Sequence, residues 1–281
     1  MRIIPREQVY QAIFDAIIHI TYHNDPSVIA LVEQARQYES DECVADVLGT
    51  ICLNNEISPI DHIPLCQDTG TTIVIADLGS EVIFSSGTLH EIVDEAAAAA
   101  AKHCPLRASI VAEPLFDRMN TGTNSPAILH LNQVPGNQLR LRVAQKGGGA
   151  ENMSFHQMLS PTIHPDELTG LIVERVLATG SRACPPLVIG IGLGANFERC
   201  AYLAKAALFE QLGRKNPEPR YAMLEENILQ RINQGGTGSQ GMGGCLTALA
   251  VHILFEPCHI ASLPLAVNLQ CHDHRHIAIT I

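Results

Sequence analysis

The stretch Cys66-Gln67-Asp68-Thr69-Gly70-Thr71 runs directly into the apolar segment Ile73-Val74-Ile75, which reads as a polar turn feeding a strand. A thiol, an amide, a carboxylate and two hydroxyls sit side by side there, with Pro64 just upstream. Turns hold polar chemistry outside the hydrophobic core, so this turn is a candidate site. Cys66 is a candidate metal ligand and its neighbours are candidates for handling a substrate.

Upstream of the turn the spacing predicts helices. Val9, Ala12, Ile13, Ala16, Ile17 and Ile20 fall on one helical face between Pro5 and Thr21. Asp25-Pro26 starts a second helix through Tyr38, and Ser40-Asp41 caps a third through Val44, Val47, Leu48 and Ile51. The N-terminal region to about residue 60 is therefore helical.

Downstream, Ile73 to Ala76 and Val82 to Phe84 read as strands, and Thr88 to His103 as a helix with an alanine-rich centre. Ile128 to Leu131 and Leu139 to Ala144 read as a hairpin joined through Val134-Pro135-Gly136-Asn137. Helices follow at Pro165 to Thr179, Asn196 to Leu212 and Pro219 to Ile232. Strands follow at Leu187 to Gly190, Cys245 to Phe255 and His259 to Gln270. Strands and helices mix without strict alternation, which gives an α+β or irregular α/β fold with mixed sheet lobes. The 281 residues suffice for one domain or two lobes.

The composition narrows the function. A net charge of −11 disfavours nucleic acid and anionic membrane as partners. The first twenty residues lack the pattern of a secretory signal, and no apolar stretch is long enough to span a bilayer, so a soluble cytoplasmic protein is expected. Nine cysteines at irregular spacings, none in a CxxC pair, argue against a disulfide framework or a zinc ribbon. Cys43, Cys52, Cys104 and Cys200 lie in helical contexts and read as small buried apolar residues.

Further polar motifs recur at predicted junctions. Asn120-Thr121-Gly122-Thr123-Asn124-Ser125-Pro126 echoes the chemistry of Thr69-Gly70-Thr71, although such residues also suit ordinary turns. Arg107 precedes it, and a guanidinium forks well onto a carboxylate. Lys146-Gly147-Gly148-Gly149 lets backbone N–H groups approach an anion and is not a Walker loop. Gly190-Ile191-Gly192-Leu193-Gly194 reads as a glycine-rich turn after a strand and is a weak dinucleotide fingerprint. Cys184 stands before Pro185-Pro186, a rigid setting for a ligand thiolate. Cys271 closes the last apolar run, and His259 opens it, too far away to meet Cys271 unless the chain bends. Four thiolates would close an iron–sulfur cluster, whereas three leave one iron open as a Lewis acid, and spacing alone does not select the ligands, since Cys245 and Cys258 are also available.

Taken in order, Cys66-Gln67-Asp68-Thr69-Gly70, Asn120 to Asn124, Lys146 to Gly149, Cys184-Pro185-Pro186 and Gln270-Cys271-His272 resemble the alpha part of the class I, iron–sulfur-dependent fumarase and L-tartrate dehydratase family. The resemblance implies a [4Fe-4S] cluster held by Cys66, Cys184 and Cys271, with one iron not ligated by cysteine. It implies reversible hydration of a C4 dicarboxylate, with fumarate and (S)-malate as first choice and L(+)-tartrate as the alternative. Asp68 and His259 are the implied catalytic residues. Gln67, Thr69, Arg107, Lys146 and Gly149 are the implied substrate-binding ones. The sequence given stops soon after Cys271, so the resemblance implies a separate beta subunit and a dimer of alpha–beta pairs. A non-catalytic iron–sulfur or redox-sensing subunit, closed by Cys258 as fourth ligand, and a nucleotide-binding enzyme are the competing readings.

Overall fold

The computed structural model describes all 281 residues. Strand β1 (Arg2–Ile4) leads into α1 (Arg6–Tyr22), and α2 (Pro26–Tyr38) and α3 (Glu42–Asp61) follow. Next come β2 (Thr71–Gly79), β3 (Val82–Phe84), α4 (Leu89–His103), β4 (Ile128–Val134), β5 (Leu139–Lys146), the short α5 (Gly148–Asn152) and β6 (Phe155–Leu159). The chain finishes through α6 (Pro165–Leu177), β7 (Leu187–Gly194), α7 (Phe197–Ala207), α8 (Pro219–Gly235), β8 (Ala248–Glu256), β9 (Leu263–Gln270) and β10 (His276–Thr280). This is an irregular α+β fold. No helix is long and apolar enough to cross a membrane.

Two compact units form. The first contains Met1–Asp25, Asn54–Gly148 and Arg275–Ile281, and the second contains Pro26–Leu53 and Gly149–His274. The N-terminal helices do not make a lobe of their own. Val9, Ile13, Ile17 and Ile20 of α1 join the core of the first unit, whereas Val28, Val32, Val44 and Leu48 of α2 and α3 pack with Val188 and Leu208 of the second.

The first unit is built on a four-stranded sheet in the order β10-β5-β2-β4, and β1 pairs in parallel with β3 beside it. The expected hairpin between β4 and β5 is not formed, because β2 lies between them, parallel to β4 and antiparallel to β5. Burial explains the order. The centre of β2, Thr72 to Ala76, is buried throughout, whereas β4 keeps exposed positions and takes an edge. The Val134 to Asn137 loop instead wraps over the end of β2. Ser80 N donates to Val134 O (2.7 Å) and Glu81 N to Gly136 O (3.0 Å).

Helix α4 packs Ile92, Val93, Ala96, Ala97 and Ala100 into this core beside α1. Its start is a reciprocal capping box. Glu91 N donates to Thr88 Oγ1 (3.3 Å), and Thr88 N donates to Glu91 Oε2 (2.7 Å). Thr88→Ala is expected to cost about 1 kcal/mol of stability, read as a lowered midpoint in urea unfolding.

The second unit carries a four-stranded sheet in the order β6-β9-β7-β8. Every residue of β7 is buried. Gly190-Ile191-Gly192-Leu193-Gly194 is therefore part of a central strand and not the expected turn. Its glycines alternate with Ile189, Ile191 and Leu193, which face the core shared with α6 and α8. The glycine face carries α7 at close range. A Cβ at Gly190 would collide with the Ala204 carbonyl, and one at Gly192 with the Cys200 carbonyl. The pattern is a packing device and gives no support to dinucleotide binding.

Strand β6 lies outside the sequence expectations. It is a five-residue edge strand of mixed polarity and lacks the apolar run that signals a buried strand.

Candidate functional site

In the first unit, the register places three loops at one end of the sheet. Thr71 pairs with Lys146 and Ile73 with Ile128, so the Cys66 turn, the Lys146 loop and the Asn120 to Pro126 loop converge there. Gly70 has φ +72°, and a Cβ there would collide with the Lys146 carbonyl, so only glycine lets the two loops touch.

Asp68 is locked at this junction. One carboxylate oxygen accepts from Gly70 N (2.9 Å) and the other from Gly148 N (2.7 Å). Its own N–H donates to Cys66 Sγ (3.4 Å) and to Gln67 Oε1 (3.2 Å). The glycine-rich loop is thus engaged by an anion, and that anion is the chain's own carboxylate. Gly147 also lies alongside, an ideal Cβ on it falling 3.3 Å from Asp68 Oδ2.

Arg107 is held by its main chain. Its carbonyl accepts from Thr69 Oγ1 (2.7 Å) and from Asn124 Nδ2 (3.0 Å), while the residue itself is exposed. The hydroxyl of Thr69 is therefore committed to positioning Arg107, and Thr69 is buried. That geometry places the Thr69 hydroxyl against the main chain of the Arg107 loop. Asn124 Oδ1 also accepts from Ser109 N (2.5 Å), so one asparagine ties the second polar turn to the Arg107 segment. Gln67 is exposed and Lys146 is buried.

Arg275 was not among the sequence expectations. It is 1% exposed, and its Nη2 donates to the Asp68 carbonyl (2.9 Å). Its own carbonyl accepts from Gln145 N (3.1 Å), which ties it to the end of β5. A buried guanidinium needs a structural or functional reason. The available signal was a charged residue immediately before an alternating strand.

In the second unit, β7 and β8 run parallel and β9 returns antiparallel, with Val188 opposite Gln270 and Leu187 opposite Ala248. Cys184, before β7, and Cys271, after β9, therefore leave the sheet at the same end. Cys184 adopts the left-handed conformation (φ 55°, ψ 65°) after a 3-10 turn at Gly180–Ala183. Such strain in a non-glycine residue is a pointer to function. The Gly235 to Gly244 loop backs this turn, since Gln240 N and Nε2 both donate to the Pro185 carbonyl (2.9 and 2.6 Å). Gly149 lies at the same end, an ideal Cβ on it falling 3.4 Å from the Arg182 carbonyl.

His259 and Cys258 lie in the exposed turn between β8 and β9, at the opposite end of the sheet. His259 Nδ1 accepts from Ala261 N (3.1 Å). Strand β9 runs unbroken between this turn and Cys271, a length of about 25 Å. The bend required to join His259 to Cys271 does not occur, and Cys258 is equally remote from Cys184 and Cys271.

The cysteines divide by environment. All nine are free thiols. Cys52, Cys104 and Cys200 are buried, and burial pushes the Cys200 thiol up to about 11. Cys43 is exposed in the first turn of α3, contrary to expectation, because that position points away from the Val44-Leu48 face. Cys66 and Cys271 are half-buried and Cys184 is exposed, all at element ends. Their donor chemistry fits an iron–sulfur cluster: thiols at element ends, with a main-chain N–H of Asp68 on Cys66 Sγ. No three His, Cys, Asp or Glu side chains gather as a set able to hold a metal ion. Cys66 belongs to the first unit, and Cys184 and Cys271 to the second.

The profile of the fumarate hydratase (Fumerase) family matches residues 10–280. The chain belongs to that family. Among curated relatives of this Fumerase-family chain is a Methanocaldococcus jannaschii protein that carries the provisional name L(+)-tartrate dehydratase subunit alpha. It is 35% identical over 247 residues, covering 85% of this chain and 86% of the relative. The Escherichia coli K12 protein named L(+)-tartrate dehydratase subunit alpha is 27% identical over 266 residues, covering 93% of this chain and 86% of its own length.

Proposed function

We propose that this Fumerase-family chain is the alpha subunit of a two-subunit hydro-lyase acting on a C4 dicarboxylate, with L(+)-tartrate ahead of fumarate and (S)-malate. The observation that carries the reading is the family match over residues 10–280. The motifs at Cys66 to Thr71 and Lys146 to Gly149 put fumarate first on sequence alone. The names of the relatives favour tartrate, and the order is reversed on that ground.

Cys66, Cys184 and Cys271 would hold a [4Fe-4S] cluster. When bound, the cluster supplies Lewis acidity at one iron for the hydroxyl that leaves as water. The chain's own residues do the rest. Asp68, fixed by Gly70 and Gly148, offers a carboxylate that cannot swing away and can handle a proton at the reacting carbon or hydroxyl. Arg107, its backbone tied by Thr69 and Asn124, presents an exposed guanidinium for a substrate carboxylate. Gln67 and the Gly149 amide offer further hydrogen bonds. Buried Lys146 stands at the end of β5, at the start of the loop that Asp68 engages. His259 takes no part beside Cys271, because β9 separates them. The remoteness of Cys258 also weighs against a closed four-cysteine cluster and its redox-sensing reading.

The test is an anaerobic assay of the cluster-loaded chain, alone and co-expressed with a separately encoded beta subunit, against both tartrate enantiomers, malate and fumarate. The chain alone is expected to show little or no turnover. The complex should favour L(+)-tartrate over malate in kcat/KM by about tenfold or more. Preference for malate would restore the fumarase order, and full activity from the chain alone would overturn the two-subunit reading.

A further inference from the structure

In the first unit, the segment Glu113-Pro114-Leu115-Phe116-Asp117-Arg118-Met119 forms a rigid knuckle. The Glu113 carboxylate accepts three consecutive main-chain N–H groups, from Leu115 (2.7 Å), Phe116 (2.5 Å) and Asp117 (2.9 Å). These bonds hold that carboxyl below its usual range. Arg118 Nη1 donates to the Pro114 carbonyl (2.5 Å), and a bridge between Val111 and Asn120 closes the base.

The knuckle carries three large apolar side chains into solvent. Leu115 is 70% exposed, Phe116 84% and Met119 70%. Single exposed apolar residues are ordinary, but three within five positions of one hydrogen-bonded turn concentrate exposed apolar surface there. A floppy loop would lose entropy on docking. This one is already ordered by its own hydrogen bonds, so its apolar area is available to a partner at low ordering cost.

Its position points to the occupant. The chain runs directly from Met119 into Asn120 to Asn124, and Asn124 holds the Arg107 carbonyl (3.0 Å). Asn120 Nδ2 also donates to the Ala108 carbonyl (3.0 Å), next to Arg107. A protein seated on the knuckle would therefore stand beside the Arg107 segment. The relatives named as alpha subunits imply that such a protein exists.

We infer that Leu115, Phe116 and Met119 form a docking knuckle for the beta subunit, inserting into an apolar depression on it and joining it to the Arg107 side of the site. The inference rests on the two-subunit reading proposed above. Aromatic and Met anchors of this kind dominate interface energetics when they fill a pocket.

The experiment uses the full chain and its beta subunit. Sedimentation or calorimetry would give the Kd for the wild-type chain and for the L115S/F116S/M119S variant. The Kd should rise by about thirtyfold or more, while the thermal midpoint of the variant chain alone stays at the wild-type value. A second readout needs no variant. Peroxide oxidation of Met119, followed by peptide mass spectrometry, should slow by about tenfold when the beta subunit is added to the wild-type chain.

An unchanged Kd together with unprotected Met119 overturns the knuckle and leaves the two-subunit reading standing. Failure of the wild-type chain to bind any beta subunit overturns both. A variant that binds the beta subunit normally but turns a dimer of this chain into a monomer assigns the patch to self-association and overturns the inference.

Discussion

Gly192→Ala is expected to destabilise the second unit strongly by driving a helix off its sheet. The added carbon would collide with the Cys200 carbonyl and fall 2.7 Å from Ala204 N and 2.9 Å from Leu203 Cβ. Two of these atoms are helix backbone, which cannot turn aside as a side chain can. Helix α7 must lift off β7 and open the small core of Cys200, Ala204 and Ala266. Overpacking against rigid neighbours costs about 3 kcal/mol. The thermal midpoint should fall by roughly 5–10 °C. A midpoint within one or two degrees of wild type would mean that the helix is not seated on the glycine face.

Asp68→Asn separates chemistry from architecture. The asparagine oxygen can replace only one of the two carboxylate acceptors, and its amide group then faces a backbone N–H. The orientation that satisfies buried Gly70 leaves the loss at exposed Gly148, so stability should fall by only about 1 kcal/mol. Turnover of the assembled enzyme should fall by about 10²–10⁴-fold, the usual contribution of a positioned acid or base. The two measurements, a melting curve and kcat, therefore move by very different amounts. Turnover within a few-fold of wild type would reduce Asp68 to a clasp between two loops.

The two substitutions also mark what the sequence reveals and what it hides. The chemistry of the Cys66 to Thr71 turn is legible because unusual residue types are concentrated beside a strand. Its engagement by Gly148 is not, since residue types carry no record of which loop meets which. The helices of the first sixty residues are legible from their apolar faces. Such a face does not name its partner, so nothing in the periodicity of Val28 and Val32 says that they pack with Val188.

Two misreadings have a common cause. Pro135-Gly136-Asn137 signals reversal of the chain, and the chain does reverse there. A third strand simply occupies the space between the two arms. The glycines at 190, 192 and 194 signal turns when counted, yet their period of two is that of one face of a strand. In both, local sequence is silent about the neighbour: β2 between the two arms, and α7 on the glycine face. Arg275 belongs to the same class. Its place immediately before an alternating strand is a faint local signal, and only the Asp68 carbonyl beside it shows that the guanidinium is buried for a reason.

The second unit's segment Gly149–His274 is inserted within the sequence of the first, and β10, an edge strand of the first unit's sheet, is made only after that insert. During translation, a nascent chain extended to His274 already carries all four strands of the later-starting sheet. The sheet that started earlier still consists of β5, β2 and β4, with the flank of β5 open. Arg275 arrives after that point as well, so the Asp68 turn acquires its guanidinium only when the ribosome has passed everything else that surrounds it.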